Sequence, residues 1–226
     1  SITGYETAET LNRGDIDGGS VYSFDFDPSD GLDIGPPLGA RFPSESADGL
    51  PDHRQISQEF RIESNEWGRL DWQAGLFWYD EDITIDSFNY DTLAGGAPKG
   101  WAQQEQRNKA WAVFASPDFD VTDAFKLRGG VRYTKDEKDF SARIIEGAFG
   151  APPAGPFPVN TDVDDVSWDL SGVYEFNDDV NFYARVAKGF RAPSIQGRLL
   201  FSPTPSIADS EEVISYEAGI KADLWN

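Results

Sequence analysis

At 226 residues without Cys or Met, the chain can form no disulfide, no thiolate metal site and no cysteine nucleophile. Its net charge of −21, from 40 acidic against 19 basic residues, argues against a nucleic-acid partner, because phosphate binding needs clustered cations. Aromatics reach 14%, yet no apolar run approaches the roughly 18 residues of a membrane helix, so a membrane role would fall to strands, of which only alternate residues meet lipid.

The chain opens on SITGYETAE, with neither an initiator Met nor a charged-then-apolar leader, and is expected to be a processed product or an internal piece. SITGYET reads as a half-strand. A segment rich in Gly, Pro and Asp follows from about 8 to 54, with a strand-like VYSFDFD inside it. RGDIDGGS (13–20) has the Asp-x-Asp-Gly start of a calcium loop without the distal Glu, so a solvated acidic surface is its default reading.

From residue 55 the dominant pattern is period-two alternation, the mark of strands with one apolar face. Ile56, Phe60 and Ile62 oppose Glu59, Arg61 and Glu63; Leu70, Trp72, Leu76 and Trp78 follow on one side of the next run. Trp111, Val113, Ala115 and Phe119 form the weakest case, because Pro117 interrupts the run and cannot donate a ladder hydrogen bond; a bulge or bend is expected there. Beyond it Phe125, Leu127, Val131 and Tyr133 alternate with Lys126, Arg128, Arg132 and Thr134. Trp168, Leu170, Tyr174 and Phe176, then Val180, Phe182, Ala184, Val186 and Phe190, and finally Ile214, Tyr216, Ala218, Ile220 and Leu224, repeat the scheme.

The connections alternate too. Short ones fall at 65–69, 120–124 and 176–180, and long ones at about 8–54, 92–100, 147–162 and 192–209. Short turns at one end and long loops at the other are how outer-membrane barrels are built. Three segments, 70–91, 101–120 and 125–146, are far longer than globular strands and become charged towards the loop side. Aromatics on the apolar face recur eight positions apart (Phe125 and Tyr133, Phe182 and Phe190), which at ~3.3 Å per residue and a tilt of ~40° is about 20 Å of depth, near the spacing of two interfacial girdles.

Four motifs narrow the barrel further. SQEFRIES (57–64), GGVRYTKDEKDF (129–140), KGFRAPSIQGR (188–198) and SEEVISYEAGIKADL (210–224) resemble, in order, successive strands of TonB-dependent outer-membrane receptors. The resemblance implies an all-β fold, an antiparallel transmembrane β-barrel of which this chain, from 1 to 226, supplies about eight of 22 strands, without the plug domain. It implies active import of a scarce nutrient of the siderophore-iron, vitamin or oligosaccharide class, powered by a TonB-type inner-membrane complex acting through the plug. It also implies the outer membrane of a Gram-negative bacterium, contact with lipid and lipopolysaccharide, and no cofactor. The other readings are a passive porin or plug-less barrel and, less favoured, a soluble carbohydrate-binding β-protein; the last requires a monomer in plain buffer, which an outward Trp, Phe and Leu band opposes.

The candidate ligand contacts are Tyr22, Phe24, Tyr90 and Trp101, aromatics near the loops able to stack on a sugar or siderophore ring, with Arg191 and Arg198 to engage an anionic ligand. Their plainer role is loop stabilisation and solvation. Inward charges (Glu59, Arg61, Glu63, Arg128, Arg132, Arg185, Glu217 and Lys221) line a path or, more simply, pair across strands in a wet interior. His53 is the only histidine, and no Walker loop, dinucleotide fingerprint or G-x-S-x-G elbow stands in a strand-to-helix context, so neither catalysis nor a multi-His metal site is expected.

Overall fold

In the computed structural model the described residues are 1–15, 45–65, 68–91, 97–147, 150–199 and 204–223. They form ten strands and no helix: β1 (Ile2–Asp15), β2 (Glu45–Glu63), β3 (Leu70–Asp91), β4 (Ala97–Thr122), β5 (Phe125–Glu146), β6 (Ala154–Asn177), β7 (Val180–Arg191), β8 (Ser194–Gln196), β9 (Ser206–Ala208) and β10 (Glu211–Ala222). Eight pair in the order β1-β2-β3-β4-β5-β6-β7-β10, each antiparallel to its neighbours, while β8 and β9 make a separate hairpin inside the β7–β10 connection. The antiparallel barrel wall expected from alternation is present; among the described residues β1 and β10 do not pair with each other, so the barrel is not closed.

Local chemistry fixes the short turns. Gly68 supplies the positive φ of 70° between β2 and β3. Thr122 Oγ1 accepts from the Ala124 N–H at 3.3 Å between β4 and β5, and Asn177 Oδ1 accepts from the Asp179 N–H at 3.0 Å between β6 and β7. In both, a short polar side chain mimics a backbone turn partner.

The strands run further towards the loops than the sequence suggests. β1 continues through Asp15 and β2 begins at Glu45, so the connection expected over 8–54 narrows; β6 begins at Ala154, inside the loop expected over 147–162. Pro156 and Pro158 make that stretch read as a loop. β7 pairs with β6 only as far as Trp168 opposite Lys188, so among the described residues the upper part of β6 is a free edge there, where a proline costs no ladder bond.

Pro117 produces no bulge. β4 passes through it opposite Trp72 of β3, and the register with β5 is the same on either side, Ala115 opposite Val131 and Asp118 opposite Arg128. Where the proline has no N–H to give, the Ser116 hydroxyl donates to the Gly129 carbonyl at 3.0 Å. True register shifts fall at Ala8/Thr10, Gly49/Asp52, Asn89/Tyr90, Trp101/Ala102 and Ala142/Ile144 towards the loops, and at Asp120/Thr122 and Glu175/Asn177 beside the turns.

Candidate functional site

The pairing assigns every side chain to one of two faces. Trp78 stands opposite Trp111, Leu76 opposite Val113, Val131 opposite Trp168 and Leu170 opposite Val186, so the apolar positions of five strands share one surface. These large groups are not covered: Leu76 is 54% exposed, Val113 46% and Leu170 50%. A contiguous apolar band of this kind faces lipid or a partner, not water. No register shift interrupts the ladder within the band, as hydrocarbon requires of a backbone that has no water to bond.

Towards the loops the same face turns charged at one residue per strand: Arg54 on β2, Asp80 on β3, Lys109 on β4, Lys135 on β5 and Asp164 on β6. This rim does not run straight across the ladder. Arg54 lies opposite Asp82, two residues beyond Asp80; Asp80 is level with Lys109; Lys109 lies opposite Glu137, two beyond Lys135; and Lys135 is level with Asp164. Four residues over four pairings is about 3.3 Å along the strand for every ~4.8 Å across, a tilt of about 35° if the rim is level, within the range of membrane barrels. Ion pairs join parts of the rim: Arg54 Nη2 lies 2.7 Å from Asp82 Oδ2 and Arg107 Nη2 2.9 Å from Asp80 Oδ2. The hydrogen bond and charge of Asp80 raise the Arg107 guanidinium above its ordinary pKa.

The opposite face is mainly polar, and several of its charges are paired across or along the strands. Arg128 Nε lies 3.3 Å from Asp118 Oδ2, Arg185 Nε 3.7 Å from Asp169 Oδ2, and Arg61 Nη2 2.5 Å from Glu59 Oε1 along one strand. Glu217 accepts from the Tyr183 hydroxyl at 3.0 Å, and Lys221 Nζ lies 5.5 Å from the same ring. Higher up, Glu6, Gln55, Glu81, Asn108, Lys138 and Thr161 are successive direct partners across six strands, a continuous polar rung. His53 joins it through a 3.0 Å contact from Nε2 to Glu81 Oε1.

The β7–β10 connection folds down onto this polar face. Leu199 packs with Phe140, Ala102 and Ala142 in a buried apolar cluster that also takes in Ile195, Ile144, Phe157 and Val159. Lys138 Nζ donates to the Pro193 carbonyl at 3.0 Å, and Arg198 Nη2 lies 3.5 Å from Asp48 Oδ1 on β2. The connection thus overhangs the polar side of β5, β4 and β2.

The expected ligand contacts do not converge. Arg198 lies on the polar face, and Arg191 is exposed at the end of β7, 3.9 Å from Glu211. Tyr90 and Trp101 stand on the other face, above the apolar band: Phe88 lies between them at ring distances of 6.4 and 5.6 Å, Arg13 covers Tyr90 at 3.9 Å, and Trp101 Nε1 donates to the buried Asp86 carboxylate at 2.9 Å. Tyr22, Phe24 and the acidic segment 16–20 lie outside the described residues. Among the described residues no group of three or more His, Asp or Glu is placed to hold a metal.

Sequence reasoning missed Phe77, Phe114 and Phe140 on the polar face. The signal was there in the doubled apolar pairs Phe77-Trp78 and Val113-Phe114, where strict alternation fails.

Two comparisons with known proteins bear on this arrangement. Residues 3–226 match the family described as TonB dependent receptor-like, beta-barrel. The crystal structure of the ferric yersiniabactin uptake receptor FyuA from Yersinia pestis is similar over 79% of this chain, with a TM-score of 0.69 and 21% sequence identity. The matched part is 27% of that receptor, so the chain spans about a quarter of it, and at this identity the likeness is one of fold.

Proposed function

Because the chain belongs to the TonB-dependent receptor-like β-barrel family, we propose that it is a section of the wall of an outer-membrane receptor that imports a scarce nutrient by active transport. The observation that carries this reading is the two-faced sheet: an exposed apolar band with an unbroken ladder ends at a tilted charged rim, and its reverse is mainly polar and charged. One face is suited to lipid and lipopolysaccharide, the other to an aqueous lumen in the outer membrane of a Gram-negative bacterium. The cargo is of the siderophore-iron, vitamin or oligosaccharide class. FyuA, similar in fold, is by its title an uptake receptor for ferric yersiniabactin. Energy would come from a TonB-type inner-membrane complex acting through a plug, and the protein performs no catalysis.

Of the candidate contacts, Arg191 and Arg198, with Tyr22 and Phe24, are the ones we propose for the ligand. Tyr90 and Trp101 share the face of the apolar band, which favours a loop-stabilising role for them. Transport measurements test the whole reading. Deleting the gene should abolish accumulation of one nutrient class, and a protonophore should abolish it in the parent strain. Uptake that persists with the proton gradient collapsed would establish the passive-barrel alternative.

A further inference from the structure

Among the described residues, Arg132 is an inward-facing arginine that pairs with no carboxylate. It sits three residues below the rim on β5, directly opposite Phe114 on one side and Ser167 on the other. Its guanidinium carbon lies 5.7 Å from the Phe114 ring centre and 5.2 Å from that of Phe77, and Nε donates to Thr134 Oγ1 at 3.1 Å. The carboxylates nearest to it in register are already claimed: Asp169 by Arg185 at 3.7 Å and Asp165 by Lys188 at 2.8 Å. Asp136, one pair further up, is held by Lys138 at 2.7 Å. Among the described residues no carboxylate lies within ion-pair distance of Arg132, and its two Nη groups have no hydrogen-bond partner.

The surroundings are open, with small side chains interleaved among Trp168, the Arg185-paired Asp169 and the cations Arg185 and Lys188. A groove of about 510 Å³ runs beside the guanidinium, lined by Phe114, Ser116, Gly130, Ser167, Gly189 and Ser215 among others. The guanidinium carbon lies over the Phe77 and Phe114 rings, Thr134 holds Nε, and the N–H donors of the two Nη groups are left over. A planar fork held in this way matches the two oxygens of a carboxylate or phosphate group. Neutralised neighbours on either side remove the local repulsion that the overall charge would otherwise impose.

We propose that the Arg132 guanidinium is a binding site for a small oxyanion, a carboxylate or phosphate group carried by a solute in the lumen. The assignment rests on the polar face being the lumenal one. It gives the cargo path a specific anion contact at membrane depth, separate from the Arg191 and Arg198 positions near the loops.

The test is calorimetric titration of the full chain in detergent micelles with inorganic phosphate and with acetate, chloride holding the ionic strength constant. The wild-type chain should show one saturable site. Arg132→Gln should weaken it by at least about tenfold, the loss expected of charge-assisted hydrogen bonds. Arg132→Lys, which keeps the charge without the fork, should bind more weakly than wild type, and it serves as the readout if the Gln variant does not fold. Arg69→Gln, the same charge change at a distant turn, should bind as wild type does. Absence of a saturable site, or equal affinity in wild type and both Arg132 variants, overturns the proposal. Absence of a site together with a lower melting temperature in Arg132→Gln also overturns it, assigning the guanidinium to a side-chain carboxylate of the protein. The titration needs no uptake, so its failure leaves the transport reading standing, and failed uptake leaves the anion site standing.

Discussion

Arg198, in the connection between β7 and β10, reaches Asp48 on β2, five places away in the sheet, with 3.5 Å between Nη2 and Oδ1. The contact looks like a clasp, but its two side chains are 41% and 54% exposed, and exposed pairs contribute only about 0–1 kcal/mol. Phe140, 5% exposed beneath Leu199, is the stronger tie.

Arg198→Ala should therefore leave the overhanging connection in place, while Phe140→Ala should release it, removing most of a buried aromatic worth about 3–5 kcal/mol in a packed cluster. Hydrogen exchange at Ile195 and Ile207 reads the difference. Protection lost in the Arg198 variant and kept in the Phe140 variant would reverse the assignment.

The two faces should respond unequally to charge. Leu127→Arg or Val186→Arg on the apolar face should cost about 2–4 kcal/mol near the bilayer midplane. Arg128→Gln on the polar face loses a half-exposed pair with Asp118 and should cost under about 1 kcal/mol. Reversible unfolding in lipid vesicles measures both, and similar costs would sink the face assignment.

Ser116 should matter because of its neighbour. Ser116→Ala leaves the Gly129 carbonyl without its donor and should cost about 1–3 kcal/mol. Replacing Pro117 by Ala in the same variant supplies a backbone N–H opposite Gly129 and should recover most of the loss. If the double variant is no more stable than the single one, the hydroxyl is not standing in for the missing amide.

Trp101→Phe keeps the stack on Phe88 but removes the indole donor to the buried Asp86 carboxylate, at a cost of about 1–3 kcal/mol. Thermal melting should register that loss while nutrient affinity stays unchanged. A fall in affinity without a fall in stability would restore Trp101 as a ligand contact.

Alternation made the wall legible because lipid and water impose opposite demands on successive residues, and period two carries that demand into the sequence directly. Trp78, Trp111 and Leu170 are assigned to their face by parity alone. Other features depend on partners distant in sequence. Phe140 looks like a stray apolar residue on a polar face until Leu199, nearly 60 positions later, covers it. The upper part of β6 reads as a loop through its prolines, and only the early end of the β7 pairing explains why they are tolerated. Arg132 reads as one inward charge among many; its lack of a counter-ion appears only when each neighbouring carboxylate is traced to another cation.

The polar rung from Glu6 to Thr161 has a consequence once the tilt is included. On β2 its member Gln55 lies one residue below the rim, while on β5 and β6 Lys138 and Thr161 lie three residues above it. Four residues at ~3.3 Å each and ~35° of tilt make a climb of about 10 Å along the wall. The hydrogen-bonding groups therefore follow a screw thread instead of a level ring. In the receptor proposed above, a solute that exchanged one set of them for the next would rotate as it descended along this wall.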